Sequence, residues 1–134
     1  MFGEKLGDVR GQNITTRILP DIGTGPRMEI TDQASGTLCG VHVTSTVTYV
    51  GTLRANGTIS GEGTGVVMTE DGESATFRGA GVATFTRPGA TQWTGALFYE
   101  TTSQKLSQLN GIAVPFEYSV DEGGKSEAQF YAWK

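Results

Sequence analysis

Tyr99, Tyr118, Glu127, Gln129 and Tyr131 sit in segments rich in valine, alanine, threonine and aromatic residues. In a strand, successive side chains point to opposite faces. On that period Glu127, Gln129, Tyr131 and Trp133 share one face, and so do Ile112, Val114, Phe116 and Tyr118 in the preceding segment. A turn at Asp121–Gly124 is expected to bring both sets to one side. Phenols, an amide and a carboxyl aimed into an apolar interior suit two kinds of chemistry. They can orient a bound molecule through hydrogen bonds. A buried, unpaired Glu127 would also carry a raised pKa and serve as an acid or proton donor.

The other reactive residues point to nothing more specific. His42, the only histidine, is the one side chain whose ordinary pKa suits a base near neutrality, and it is expected on a strand face. One histidine and one cysteine do not make a structural zinc site. Cys39 reads as a small buried hydrophobe. The acidic runs Glu70-Asp71-Glu73 and Asp121-Glu122 lack the ligand series of a calcium loop and read as solvated hairpin tips. "GEGTG", residues 61–65, has the wrong spacing for a dinucleotide fingerprint, and no helix follows it. No G-x-S-x-G nucleophile motif is present. No cofactor and no metal are therefore expected.

Turn residues recur at regular intervals: residues 21–26, Asn56-Gly57, Glu70-Asp71-Gly72, Arg87-Pro88-Gly89 and residues 121–124. The segments between them read as strands at 8–19, 27–38, 41–53, 58–69, 73–86, 90–100, 111–120 and 125–133. The fold class expected is all-β, a single antiparallel up-and-down barrel of about eight strands. Residues 102–110 are expected to form one short helix across a mouth, with hydroxyls at its start and Asn110-Gly111 at its end. Pro115 cannot donate to a ladder and marks a bulge or an edge-like stretch.

Glycine weakens a strand, so its placement is informative. Gly61, Gly63 and Gly65 share a face with Ile59 and Val67, and Gly79 and Gly81 share one with Phe77 and Phe85. Hairpins centred on Asp71 and Pro88 would set Gly61 opposite Gly81, Gly63 opposite Gly79, Gly65 beside Phe77, Gly81 opposite Gly95 and Ala83 opposite Trp93. The glycines then form one patch across three strands. Turned inward, it allows tight coiling and leaves room for bulky rings from the facing wall. On the outer face, Val66, Met68, Val82, Ala96 and Phe98 form a candidate subunit contact.

At 134 residues the whole chain, 1–134, is expected to be one domain. A net charge of -4 and a pI near 4.9 argue against nucleic acid and against an anionic membrane surface. The opening "MFGEKLGDVRG" shows no secretory signal, and the lone cysteine asks for no oxidising compartment, so the cytoplasm is the expected location.

"NGTISGEGTGVVMTEDGESATFRGAGVATFT", "WTGALFYETTSQKLSQLNGIAVPFEY" and the terminal "WK" resemble a family of small uncharacterised prokaryotic β-barrel proteins. That family is similar in architecture to the allene oxide cyclase-like and lipocalin-like barrels. The resemblance implies a compact antiparallel barrel, and the wider group implies a hydrophobic ligand or a substrate folded for cyclisation. The leading expectation is thus a barrel that binds a small hydrophobic molecule. Its candidate ligand contacts are Tyr49, Phe77, Trp93, Tyr99, Phe116, Tyr118, Glu127, Gln129 and Trp133. The alternatives are a cyclase or isomerase working by conformational templating, and a filled barrel acting through its outer face, with a homodimer as the expected oligomer.

Overall fold

The computed structural model describes residues 2–133. Eight strands close into one antiparallel barrel, each pairing with its sequence neighbour and the last with the first. They are β1 (Phe2–Leu19), β2 (Arg27–Leu38), β3 (Val41–Leu53), β4 (Ile59–Thr69), β5 (Ser74–Arg87), β6 (Ala90–Thr101), β7 (Ala113–Val120) and β8 (Lys125–Trp133). The expected up-and-down barrel is present, and β1 begins at Phe2 rather than at residue 8. Closure removes the unpaired edges that an open sheet would expose. No helix of the described residues is long and apolar enough to cross a membrane.

Turn chemistry sets the register. Cys39 and Gly40 both take positive φ (54° and 77°) between paired Leu38 and Val41, the two-residue hairpin whose twist matches the strands. Cys39 is partly rather than fully buried, and that burial raises its thiol pKa. His42 stands exposed on β3. Around the glycine patch the pairing is the expected one: Gly61 faces Gly81, Gly63 faces Gly79, Gly65 faces Phe77, Gly81 faces Gly95 and Ala83 faces Trp93.

The last hairpin corrects the expected faces. Asp121 N donates to Lys125 O (2.9 Å), Gly124 N donates to Asp121 O (3.0 Å), and Gly124 has φ 84°. The loop therefore holds an odd number of residues, and the parity of β8 shifts by one. Phe116 pairs with Phe130 and Tyr118 with Ala128, while Glu127 pairs with Ser119 and Gln129 with Glu117. The inward set of β8 is Ser126, Ala128 and Phe130.

The expected helix at 102–110 is also corrected. Only Ser107–Leu109 is helical, as a 3-10 turn without a side-chain cap. Its spacing of three still puts Leu106 and Leu109 on one side, and both are fully buried. Asn110, expected as a cap, instead accepts from Thr101 N (3.0 Å) and donates to Thr101 O (2.9 Å). Pro115 occupies an edge-like stretch, as expected: Ala113–Pro115 pair with β6, and the β7–β8 ladder starts at Phe116.

The two ends of the barrel differ. At the end holding the β2–β3, β4–β5 and β6–β7 connections, Leu106 and Leu109 plug the interior against Leu38, Val43, Tyr99 and Val114. Lys105 Nζ pairs with Asp71 Oδ2 (2.7 Å), tying the plug to the β4–β5 turn. The opposite end carries the other four connections. There the 20–26 segment lies in solvent, apart from partly buried Gly25, so no connection folds over this open end, where Ile59, Ala83 and Trp93 form a second buried cluster against Tyr49, Phe116 and Tyr118. On the outer wall, Val66, Met68, Val82 and Phe98 stand exposed, and the Arg78 guanidinium lies 5.3 Å over the Phe98 ring.

Candidate functional site

The glycine patch faces the lumen, and aromatic rings lie down on it. A Cβ on Gly61 would meet the Trp93 ring at 2.6 Å, one on Gly95 the Phe116 ring at 2.9 Å, and one on Gly65 would collide with the Phe77 ring. The rings come from nearby strands and lean sideways over bare backbone. They do not reach across from the facing wall as expected. Leaning keeps the centre of the barrel open. A cavity of about 110 Å³ remains, bounded by residues from every strand, among them Val9, Ala34, Val47, Gly63, Leu97 and Ala128.

Toward the open end the lumen turns polar. Asn13 and Asp32 are direct partners across β1 and β2. Asn13 Nδ2 donates to Asp32 Oδ2 (2.7 Å) and to the Tyr118 hydroxyl (3.0 Å). Tyr118 in turn donates to Asp32 Oδ2 (3.1 Å). Its one proton is then committed, so the Tyr49 hydroxyl, 3.1 Å away, is the donor of that pair. The result is a directed chain, Tyr49 to Tyr118 to Asp32. Tyr49 packs edge-on against Trp93 (5.4 Å, 73°) and Tyr118 (5.8 Å, 88°).

Burial dominates the electrostatics of these phenols. It pushes the Tyr49 pKa up to about 12 and the Tyr118 pKa higher still, where neighbouring Tyr49 and Asp32 add to the rise. Tyr99, in the plug, is raised by burial as well. All three are neutral hydroxyls at physiological pH, so they are hydrogen-bond donors in kind and not phenolate nucleophiles. Asp32 is only 3% exposed. Among the described residues no group of three or more His, Cys, Asp or Glu is arranged to hold a metal.

Of the nine residues singled out in the sequence, Tyr49, Phe77, Trp93, Tyr99, Phe116 and Tyr118 line the cavity. Glu127, Gln129 and Trp133 do not; the odd-numbered loop turns all three outward. Glu127 pairs with Arg10 (3.7 Å) and accepts from Gln129 (2.7 Å), while Trp133 is 68% exposed. Tyr131 also faces out and donates to Glu117 (3.1 Å). The acidic group of the interior is therefore Asp32, which the sequence reading passed over. Its signal was present: Met28, Ile30, Asp32, Ala34, Gly36 and Leu38 share one strand face, and a lone carboxylate among them is out of place. Asn13 likewise shares its phase with Val9 and Gly11.

Around the open end the strands outrun the packed core. Ile18, Met28, Leu53 and Phe85 lie exposed there, with Ile22 in the β1–β2 connection. They leave exposed apolar side chains around that end.

No family model matches the chain, and no curated protein does. Solved structures do match, at the level of the fold. A Clostridium acetobutylicum ATCC 824 protein of unknown function superposes with a TM-score of 0.84 at 14% identity, covering 100% of both chains. A beta-barrel like protein (ABAYE2633) from Acinetobacter baumannii AYE gives 0.83 at 14% identity, covering 98% of this chain and 94% of that one. The conserved protein of unknown function RPA1785 from Rhodopseudomonas palustris gives 0.82 at 13% identity, covering 96% and 95%. The chain thus has the β-barrel fold of these uncharacterised proteins, and at such identities the likeness extends to the fold alone.

Proposed function

We propose that this protein binds a small, largely hydrophobic molecule inside the barrel, admitted through the open end. The observation that carries the reading is the cavity of about 110 Å³ left between ring-covered glycines and small residues, with hydroxyl, amide and carboxyl groups at one end. Ligand sites are commonly concave and apolar, with a few converging polar groups that fix orientation. An engineered apolar cavity of roughly 150 Å³ is enough to hold benzene, which puts this lumen in the range of one ring or a short chain. A filled structural barrel would leave no such volume.

Native mass spectrometry of protein purified from its own host tests the reading directly. A co-purified small mass, or displacement of a lumen-bound hydrophobic dye, is the expected result. Absence of both, across a panel of dyes, rejects it.

One observation favours a second reading, an enzyme of the cyclase or isomerase kind, in keeping with the resemblance to allene oxide cyclase-like barrels. The chain from Tyr49 through Tyr118 to Asp32 pairs neutral phenol donors with a carboxylate acceptor. Such a pair can polarise a carbonyl and receive a proton while the walls hold one substrate conformation. Turnover of a bound ligand, lost in Tyr118→Phe, distinguishes catalysis from storage. We take the cytoplasm as the place of action, since Cys39 stays a free thiol. A homodimer through the outer face of β4–β6 is a separate proposal, supported by exposed Val82 and Phe98. Light scattering that gives a monomer mass at every concentration rejects it.

A further inference from the structure

We infer that the lumen is built for a small organic cation, an amine carrying a ring or short alkyl group, with Asp32 as its counter-charge. The inference rests on the lumen-binding reading above and assigns the chemical class of the ligand.

Asp32 lines the cavity at 3% exposure. Both of its hydrogen bonds, from Asn13 and Tyr118, fall on Oδ2. Oδ1 takes none from the described residues. The group is held in place from one side and free on the other.

No lysine, arginine or histidine of the described residues lines the cavity, and Asp32 takes part in none of the ion pairs. A carboxylate taken out of water without a cation is costly, and buried acids are normally paired. The positive partner missing from the chain is the one a ligand would bring. An ammonium supplies both the charge and the N–H donor that Oδ1 lacks.

The walls beside Asp32 agree with this. Tyr49 meets Trp93 and Tyr118 at angles of 73° and 88°, so the rings stand as near-perpendicular walls. Aromatic faces attract cations, and cages of such rings recognise alkylammonium groups. A neutral polar ligand would be served by the phenols alone, and an anionic one would be repelled by Asp32. Apart from Ser45, Glu62 and Ser126 the remaining liners are glycines and apolar side chains, which suits the carbon skeleton of the amine.

The experiment is calorimetric titration at neutral pH with benzylamine, benzyl alcohol, phenylacetate and toluene, which differ mainly in charge. Benzylamine is expected to bind about tenfold or more tightly than benzyl alcohol, the ratio that one charge-assisted hydrogen bond supports. Phenylacetate is expected to bind worst. In Asp32→Asn the ratio of benzylamine to benzyl alcohol should fall to near one. Benzyl alcohol or toluene binding the wild type as tightly as benzylamine overturns the charge assignment and leaves the lumen-binding reading intact. Failure of all four to bind overturns both. The order of affinities in the wild type decides the matter even if Asp32→Asn does not fold.

Discussion

Gly61 holds its place because of what lies on it. The Trp93 ring occupies the volume a Cβ would need, 2.6–2.7 Å from the built position. Gly61→Val is expected to displace the ring and destabilise the barrel by about 1–3 kcal/mol, the usual cost of overpacking. Urea unfolding measures it. Combining the change with Trp93→Leu should be clearly less than additive, because the two residues contend for one space. Additive losses would mean that the ring is not what the glycine accommodates. Tyr49 supports a second test at this scale. Its pKa is raised to about 12 from an ordinary 10. A phenol whose folded pKa is raised keeps its proton on folding, so its contribution is intact below pH 10 and is lost as pH climbs from 10 to 12. Alkaline titration followed at 295 nm should show the interior tyrosines ionising late, together with loss of the β-sheet circular dichroism signal. Early, non-cooperative ionisation of three tyrosines would place them in solvent.

At the scale of elements, the plug between β6 and β7 shows which forces matter. Leu109 is fully buried beneath the closed end, while the Lys105–Asp71 pair that fastens the same segment lies half exposed. Leu109→Ala is expected to cost about 2–5 kcal/mol through lost burial and the void left behind. Lys105→Met should change the urea midpoint little near neutrality, because solvent screens an exposed pair. Asp71 has a pKa lowered to about 2, chiefly by hydrogen bonds from Lys105 and Thr69. Any contribution it makes is present above the ordinary carboxylate range and fades as pH falls toward 2. Equal losses in the two variants would show that the ion pair, not the leucine, fastens the plug. Pattern reading located this segment but not its form. Leu106 and Leu109 announced a buried face at a spacing of three, which a helix and a 3-10 turn share. The strands of β4–β6 were legible for a firmer reason: glycines and rings repeat on one phase, and the turns between them are short. β8 was not. Two of its three aromatic residues, Tyr131 and Trp133, lie outside, and the inward set is Ser126, Ala128 and Phe130. Hydrophobicity alone chose the wrong face, and the three-residue loop closed by Asp121 and Lys125, with Gly124 at positive φ, decides it. That single step moved Glu127 out of the candidate site, while Asp32 stayed hidden because a lone acid in an apolar phase reads first as an exception.

For the whole molecule, the consequence is a barrel with one plugged end and one that no connection covers, and two buried clusters, the larger at the plug. Leu38, Leu106, Leu109, Val43 and Val114 are the fully buried large residues, and the plug and the strands packed against it supply them all. The other half combines a smaller buried cluster of Ile59, Ala83 and Trp93 with glycines, small side chains and the Asp32 chain around the cavity. Such an arrangement gives up packing that the fold has room to make. Ala128 faces the cavity from β8, between Val9 on β1 and Tyr118 on β7. Ala128→Leu adds apolar volume where the lumen is empty, at a position already inside. It should raise stability by about 0.5–2 kcal/mol, as cavity-filling changes commonly do, while abolishing dye binding and benzylamine binding. The two readouts must move in opposite directions, because the free volume that weakens the core is the same volume a ligand would occupy. Loss of stability would mean the interior is already packed to capacity. Gained stability with undiminished binding would put the ligand somewhere other than the lumen.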